Sequence, residues 1–87
     1  MATTPQQIEA ALQAALAPQS LSVQDDSHLH VGHAGHGSGH YTVHIVSEKF
    51  QGLSSIARHR LVYDALRDLM ADGIHALAIH ASTPPAN

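Results

Sequence analysis

The first apolar residues of the chain recur at helical spacing. Ile8, Ala11, Leu12, Ala15 and Leu16 all fall on one face of a helix. Thr, Pro and Gln at positions 4, 5 and 7 suit the start of this helix, as N-cap, first-turn proline and second half of a capping box. A proline at position 18 then ends it. The pattern therefore predicts an N-terminal amphipathic helix.

Two stretches of alternating apolar and polar residues predict strands. The first contains Leu21 and Val23 and ends at Asp25. The second begins at Tyr41 and has two distinct faces, one formed by Tyr41, Val43 and Ile45, the other by Thr42, His44 and Val46. Because the two stretches lie close together in sequence, we expect them to pair antiparallel.

A turn or single helical turn over residues 47–52 leads to the longest predicted helix, about residues 55–72. Gly52 can adopt a left-handed conformation there, and Ser54 is the expected N-cap. Val62, Leu66 and Leu69 form the expected buried stripe, and two further residues, Arg60 and Asp64, have the spacing of a surface ion pair. The helix is expected to end at Gly73.

Residues 74–80 are expected to form a third strand, joined to the second by a helical crossover that favours parallel pairing. The predicted fold class is α+β, a three-stranded mixed sheet with helices packed on one face. We expect a single domain over residues 1–87, with an ordered core of about residues 5–82 and a flexible loop of about residues 26–39.

Composition limits the chemistry that is available. The chain has nine histidines and no cysteine, so a metal site can use only nitrogen or oxygen ligands. The formal net charge of −3 argues mildly against a dedicated nucleic-acid binder. Without a signal peptide or a long apolar run, a soluble cytoplasmic protein with no membrane partner is the expectation.

Histidines provide the candidate chemical groups. His28 and His30 lie two residues apart in a Gly-rich stretch that also contains His33, and two imidazoles at this spacing can share one ion. The alternative is a solvated loop that binds metal ions only adventitiously. His59 and His75 are further candidates, although each can equally be a satisfied structural histidine.

Motifs of hydrolases, metalloproteases and phosphate-binding loops are absent from the sequence, so no enzymatic activity is expected.

Three motifs resemble the BolA family. They read Val-Ser-Glu-Lys-Phe-Gln-Gly over residues 46–52, Arg-His-Arg-Leu-Val over residues 58–62, and Ile-His-Ala-Leu over residues 74–77. The resemblance extends from Ile8 to Pro84. It implies a class II KH-like arrangement, αββααβ. It also implies two partners, a monothiol glutaredoxin of the Cys-Gly-Phe-Ser type and glutathione. These partners share a [2Fe–2S] cluster with the chain. No cofactor is expected when the chain is alone.

The resemblance also implies site residues. His75 matches the family's histidine in the third strand, and a loop histidine supplies the second ligand, since the chain has no cysteine. His30 aligns best, and His28 and His33 remain alternatives. We expect the surface facing glutaredoxin and glutathione to include Arg58, His59 and Arg60, a three-residue segment of the second motif.

Two other functions remain open. Family members described as DNA-binding regulators suggest that the segment around Gly52 and the following helix is a helix-turn-helix, with Lys49, Arg58 and Arg60 contacting phosphate. Three such contacts give a log–log salt slope of only about −2.7. The other alternative is a metal-binding accessory protein that acts through the His-rich loop alone, for which the loop histidines matter and His75 does not.

Overall fold

A computed structural model describes residues 4–26 and 39–85 of the chain. Within these ranges, the chain forms three α-helices and a sheet of three strands. A short 3₁₀ helix lies between the second strand and the second α-helix. In chain order the elements are α1 (Pro5–Leu16), β1 (Ser20–Asp25), β2 (His40–Val46), the 3₁₀ helix (Glu48–Phe50), α2 (Ser55–Ala65), α3 (Arg67–Asp72) and β3 (Ala76–Ser82).

The N-terminal helix α1 begins with the predicted capping box. The Gln7 amide donates to the Thr4 hydroxyl oxygen at 3.3 Å, and the Thr4 amide donates to the Gln7 side-chain oxygen at 2.9 Å. Ile8, Leu12 and Leu16 are buried, as their spacing predicts. The helix ends where Ala17 adopts a left-handed conformation, one residue before the proline.

The sheet has the strand order β1-β2-β3, with β2 in the centre. β1 runs antiparallel to β2 and β3 runs parallel to it, so both predicted pairings are confirmed. Tyr41, Val43 and Ile45 are buried on the face that the helices cover, where they join the core. Among residues 4–26 and 39–85 no helix covers the other face of the sheet, called the open face below, and His44 is exposed on it.

A buried serine joins the end of β2 to the rest of the core. The Ser47 hydroxyl donates to the main-chain oxygen of Leu16 at 2.8 Å and accepts from the Lys49 amide at 3.1 Å. The following turn contains Gly52 at φ +75°, and the Ser54 hydroxyl caps α2 by accepting from the Ala57 amide at 3.2 Å. The predicted turn and N-cap are therefore confirmed.

The long predicted helix is interrupted in the structure. Leu66 has φ −104° and ψ 12°, and it separates α2 from α3. The Leu66 side chain is fully buried, and its amide still donates to the Val62 oxygen at 3.1 Å. Leu66 therefore remains part of the core although the helix is interrupted there. Val62 and Leu66 are buried as predicted, and Leu69 packs against the core while partly exposed. Apolar spacing continues through the interruption, which explains why the sequence does not signal it.

Two further predictions are corrected. β3 begins at Ala76 rather than at residue 74, because pairing with β2 starts where His40 lies opposite Ala76. The predicted ion pair between Arg60 and Asp64 is replaced by one in which Arg67 donates to the Asp64 carboxylate at 3.3 Å.

Candidate metal-ligand site at one end of the sheet

His75 lies in the short connection between α3 and β3. Its side chain is exposed, whereas the neighbouring Ile74 is 5% exposed and belongs to the core. The sequence predicts a third strand from residue 74, but β3 starts at Ala76, so His75 precedes the strand. Its imidazole lies at the end of the sheet and is accessible to an external group.

Gly39 holds the backbone of His75 in place. The Gly39 oxygen accepts hydrogen bonds from the amides of His75 at 2.8 Å and Ala76 at 3.1 Å. Gly39 is buried and has φ +82°, and a Cβ placed on it would lie 2.6 Å from the His75 ring carbon Cδ2 and still closer to the Gly73 oxygen. Only glycine allows the chain to pass this close to the imidazole.

Asp26 and Gly39, the residues that flank the segment 27–38, lie at this end of the sheet. The Asp26 amide donates to the His40 oxygen at 2.7 Å, and the Thr42 hydroxyl donates to the Asp26 carboxylate. The antiparallel and parallel pairings bring the end of β1, the start of β2 and the start of β3 to one edge. His75 therefore contacts Gly39, the residue that follows the His-rich segment, and lies at the same edge of the sheet as Asp26, the residue that precedes it.

The predicted loop ligands His28, His30 and His33 lie outside the described residues, as does most of the predicted flexible loop. One histidine that the sequence interpretation did not select, His40, is described at this edge. It is half-buried, lies opposite Ala76 in the sheet and lines a depression of about 330 Å³ together with Asp26 and Thr42. The sequence signal for His40 was its position at the start of the second stretch of alternating apolar and polar residues.

A tyrosine next to this edge has an altered acidity. Burial raises the pKa of the Tyr41 phenol above its usual value of 10.0, and the nearby negative charge of Asp25 raises it further. Tyr41 therefore stays uncharged near neutral pH, and it supplies a buried ring beneath the edge. Of the two histidines described at this edge, His75 and His40, His75 is the exposed one, and its imidazole has the chemistry of a metal ligand.

The structure separates Arg58, His59 and Arg60 into three environments. Arg58 is half-buried, and its guanidinium donates to the main-chain oxygens of Leu53 at 3.1 Å and Ala81 at 3.5 Å. Ala81 is near the far end of β3, roughly 16 Å along the strand from Ala76. Arg58 is thus not brought together with His75.

The other two residues of this segment differ in exposure. His59 is half-buried and lines a depression beside the far end of β3, whereas Arg60 is exposed. Lys49 is also exposed, in the 3₁₀ helix that precedes the turn at Gly52. Of the three cations predicted to contact phosphate, Lys49 and Arg60 are on the surface, and Arg58 already bonds main-chain oxygens.

Within residues 4–26 and 39–85, no three histidine, aspartate or glutamate side chains are grouped so as to hold a metal ion. A site built on His75 consequently needs ligands from elsewhere, either from the segment 27–38 or from a partner. No helix in the same ranges is long and apolar enough to cross a membrane.

Comparisons with known proteins agree with this architecture. The chain is 45% identical over 80 residues to SufE-like protein 1, chloroplastic/mitochondrial, of Arabidopsis thaliana, covering 84% of the chain but only 22% of that protein. It is 46% identical over 76 residues to the DNA-binding transcriptional regulator BolA of Vibrio cholerae, covering 87% of the chain and 71% of the relative. The solved BolA domain of Arabidopsis SufE1 superposes with a TM-score of 0.84 at 43% identity, over 97% of this chain and 95% of that one.

The resemblance seen in the three sequence motifs is thus extended to the fold. The model of the family described as BolA-like protein matches residues 12–86. This match includes β1, β2, both C-terminal helices and β3, together with His75 and the segment 27–38. The chain belongs to the BolA family.

Proposed function

We propose that this chain binds a monothiol glutaredoxin of the Cys-Gly-Phe-Ser type and shares a glutathione-ligated [2Fe–2S] cluster with it. The chain would act in iron–sulfur cluster trafficking and iron homeostasis, with the cluster as its cargo. His75 is the proposed first ligand from this chain. The proposed second ligand is His30, with His28 and His33 as the alternatives.

The exposed imidazole of His75 beside Gly39 is the observation on which this proposal rests. A ligand shared between two proteins must reach beyond the surface of its own chain, and His75 is exposed while its backbone is bonded to Gly39. The residues that flank the segment with the other candidate ligands, Asp26 and Gly39, lie at the same edge. We therefore expect a histidine of that segment to reach the same cluster.

The number and type of ligands also support the proposal. A [2Fe–2S] cluster needs four ligands. One cysteine from glutaredoxin and one from glutathione leave two positions, which two histidines of this cysteine-free chain can fill. Imidazole in place of thiolate raises the reduction potential, and only the deprotonated ring nitrogen can bind iron. The shared cluster should accordingly be lost in acid.

The test is to mix the chain anaerobically with a monothiol glutaredoxin, glutathione, iron and sulfide, and to record the visible circular dichroism. We expect a spectrum distinct from that of the glutaredoxin homodimer, and its loss with His75→Ala. His80→Ala is the matched control, because it removes an exposed histidine from the far half of β3. An unchanged homodimer spectrum in the presence of the wild-type chain would refute cluster sharing.

Single replacements of His28, His30 and His33 by alanine identify the second ligand in the same assay. We expect His30→Ala to change the spectrum as strongly as His75→Ala, whereas the other two variants keep it. Loss of the spectrum in His28→Ala or His33→Ala alone would move the assignment to that residue. Retention in all three would contradict a loop histidine as the ligand.

Regulation of transcription through weak DNA binding is a second candidate function. It is favoured by the name of the Vibrio cholerae relative, a DNA-binding transcriptional regulator. Lys49 and Arg60 are exposed on either side of the turn at Gly52. Two phosphate contacts from these residues would give a log–log salt slope of only about −1.8, and Arg58 would add a third if it left its main-chain partners. Binding titrations at several salt concentrations measure this slope, and a slope near zero would exclude the proposal.

Metal binding by the His-rich loop alone is the third candidate, and the same variants separate it from cluster sharing. Under that function, removal of loop histidines abolishes metal binding while His75→Ala leaves it unchanged.

A cytoplasmic location is part of the main proposal, although the name of the plant relative places that protein in the chloroplast and mitochondrion. Cell fractionation followed by detection of the chain tests the location.

A further inference from the structure

A pair of histidines on the open face of the sheet is not used by the proposed cluster site. His44 of β2 and His80 of β3 lie directly opposite each other in the parallel register. Their rings are stacked, with centroids 4.5 Å apart and planes inclined by 8°. Both side chains are exposed, and within the described part of the chain neither ring makes a hydrogen bond.

We propose that His44 and His80 form a second metal-binding site, specific for borderline divalent transition ions such as Cu²⁺, Ni²⁺ and Zn²⁺. Directly opposite residues of neighbouring strands have Cβ atoms about 5 Å apart, which allows two imidazole nitrogens to reach one ion after a small ring rotation. Exposed side chains make such rotations readily. The two rings supply two ligands, and water fills the remaining coordination positions.

The surroundings of the pair match this class of ion. His44 and His80 line a depression of about 380 Å³ that also contains His59 and the hydroxyl-bearing Ser55 and Ser82. Among the described residues that line it, there is no Asp, Glu, Lys or Arg. The absence of carboxylates disfavours Ca²⁺ and Mg²⁺, whereas imidazole nitrogen suits copper, nickel and zinc. Arg58 donates to the Ala81 oxygen nearby and does not line the depression.

The proposed site is separate from the edge that carries His75. His44 lies four residues along β2 from His40, which corresponds to roughly 13 Å. The pair is also on the open face of the sheet, whereas His75 lies in the connection before β3. An ion at His44 and His80 therefore leaves the proposed cluster ligands free, and the two sites can be tested independently.

The experiment is a titration of the ¹⁵N-labelled full chain with Cu²⁺, a paramagnetic ion that broadens nearby amide signals. We expect the signals of Val43, Ile45 and Ile79 to broaden. This broadening should disappear both in His44→Gln and in His80→Gln, which keep the polarity of exposed positions. His75→Gln is the control, and it should leave the broadening at these strand residues unchanged.

Three outcomes would overturn the proposal: strand signals that stay sharp while residues near His75 broaden, broadening that survives His44→Gln, or broadening that survives His80→Gln. Calorimetric titration with Zn²⁺ gives a second measure, since either variant should bind one equivalent less than the wild type. Amide spectra recorded without metal verify that the variants fold. Both variants should retain the dichroism of the shared cluster, so failure of the metal site and failure of cluster sharing are distinguishable.

Discussion

The main-chain oxygen of Gly39 accepts the amide hydrogen of His75 at 2.8 Å, and the ring of His75 lies where a side chain on residue 39 would be. The position of the imidazole therefore depends on a residue 36 positions earlier in the chain. This contact also joins the end of the His-rich segment to the one proposed cluster ligand within the described residues. Its consequences can be measured without any partner protein.

Replacement of Gly39 by alanine should destabilise the fold and displace His75. The new Cβ would lie 2.6 Å from the His75 ring in a backbone conformation of φ +82°. We expect a loss of about 2 kcal/mol in the free energy of unfolding, from left-handed strain and the clash together. Denaturant unfolding measures the loss, and the imidazole NMR signals of His75 report the displacement.

Gly52→Ala is the matched control for this substitution. Gly52 has a similar φ of +75°, but a Cβ there would meet no atom within 4 Å. We expect a loss of about 1 kcal/mol from backbone strain alone, with the His75 signals unchanged. Equal effects of the two substitutions on His75 would show that Gly39 does not position the imidazole.

Replacement of Ser47 by alanine should cost about 2 kcal/mol of stability. The fully buried hydroxyl of Ser47 bonds the Leu16 oxygen and the Lys49 amide, and its removal leaves a buried carbonyl without this donor. Urea unfolding measures the change. Ser54→Ala, which removes only an exposed N-cap, should cost about 1 kcal/mol. A smaller effect at Ser47 than at Ser54 would contradict the importance of the buried bond.

Arg58 and Arg60 should differ in their effect on stability although they are neighbours in one motif. Arg58→Ala removes the hydrogen bonds to the Leu53 and Ala81 oxygens and should cost about 1 kcal/mol. Arg60 is exposed, so Arg60→Ala should change stability by no more than about 0.5 kcal/mol. Thermal unfolding of the two variants under the same conditions tests this difference. Indistinguishable midpoints would mean that Arg58 has no structural role.

The stability of the chain should fall as the pH rises above about 10. The folded-state pKa of Tyr41 is raised above the value of 10.0 expected in the unfolded chain, so the unfolded state loses its proton first. The contribution is fully present below pH 10 and is lost as the pH rises through the folded-state pKa. Urea unfolding between pH 8 and pH 11 measures the decline.

Tyr41→Phe has no phenol to ionise and should lose this part of the alkaline decline. Asp25→Asn should reduce it only in part, because burial is the larger cause of the raised pKa and the charge of Asp25 the smaller. A decline of the same size in the wild type and in Tyr41→Phe would show that Tyr41 is not responsible.

The sequence by itself determined the features that depend on nearby residues. The capping box of Thr4 and Gln7 and the N-cap at Ser54 each involve partners three residues away, so their patterns are visible along the chain. Alternation along β2 likewise separated the buried face from the open face, because strand side chains point to opposite sides in turn. The family motifs identified His75 as a candidate ligand, although its placement within the strand was wrong.

Only the tertiary structure decided which distant residues meet. The helix is interrupted at the buried Leu66 although the apolar pattern continues through this residue. Contact of Gly39 with His75 and of Arg58 with Ala81 depends on how the strands and helices pack. The stacking of His44 on His80 depends on the parallel register, which brings together residues 36 positions apart. Such contacts leave no local pattern, because they are set by the packing of whole elements.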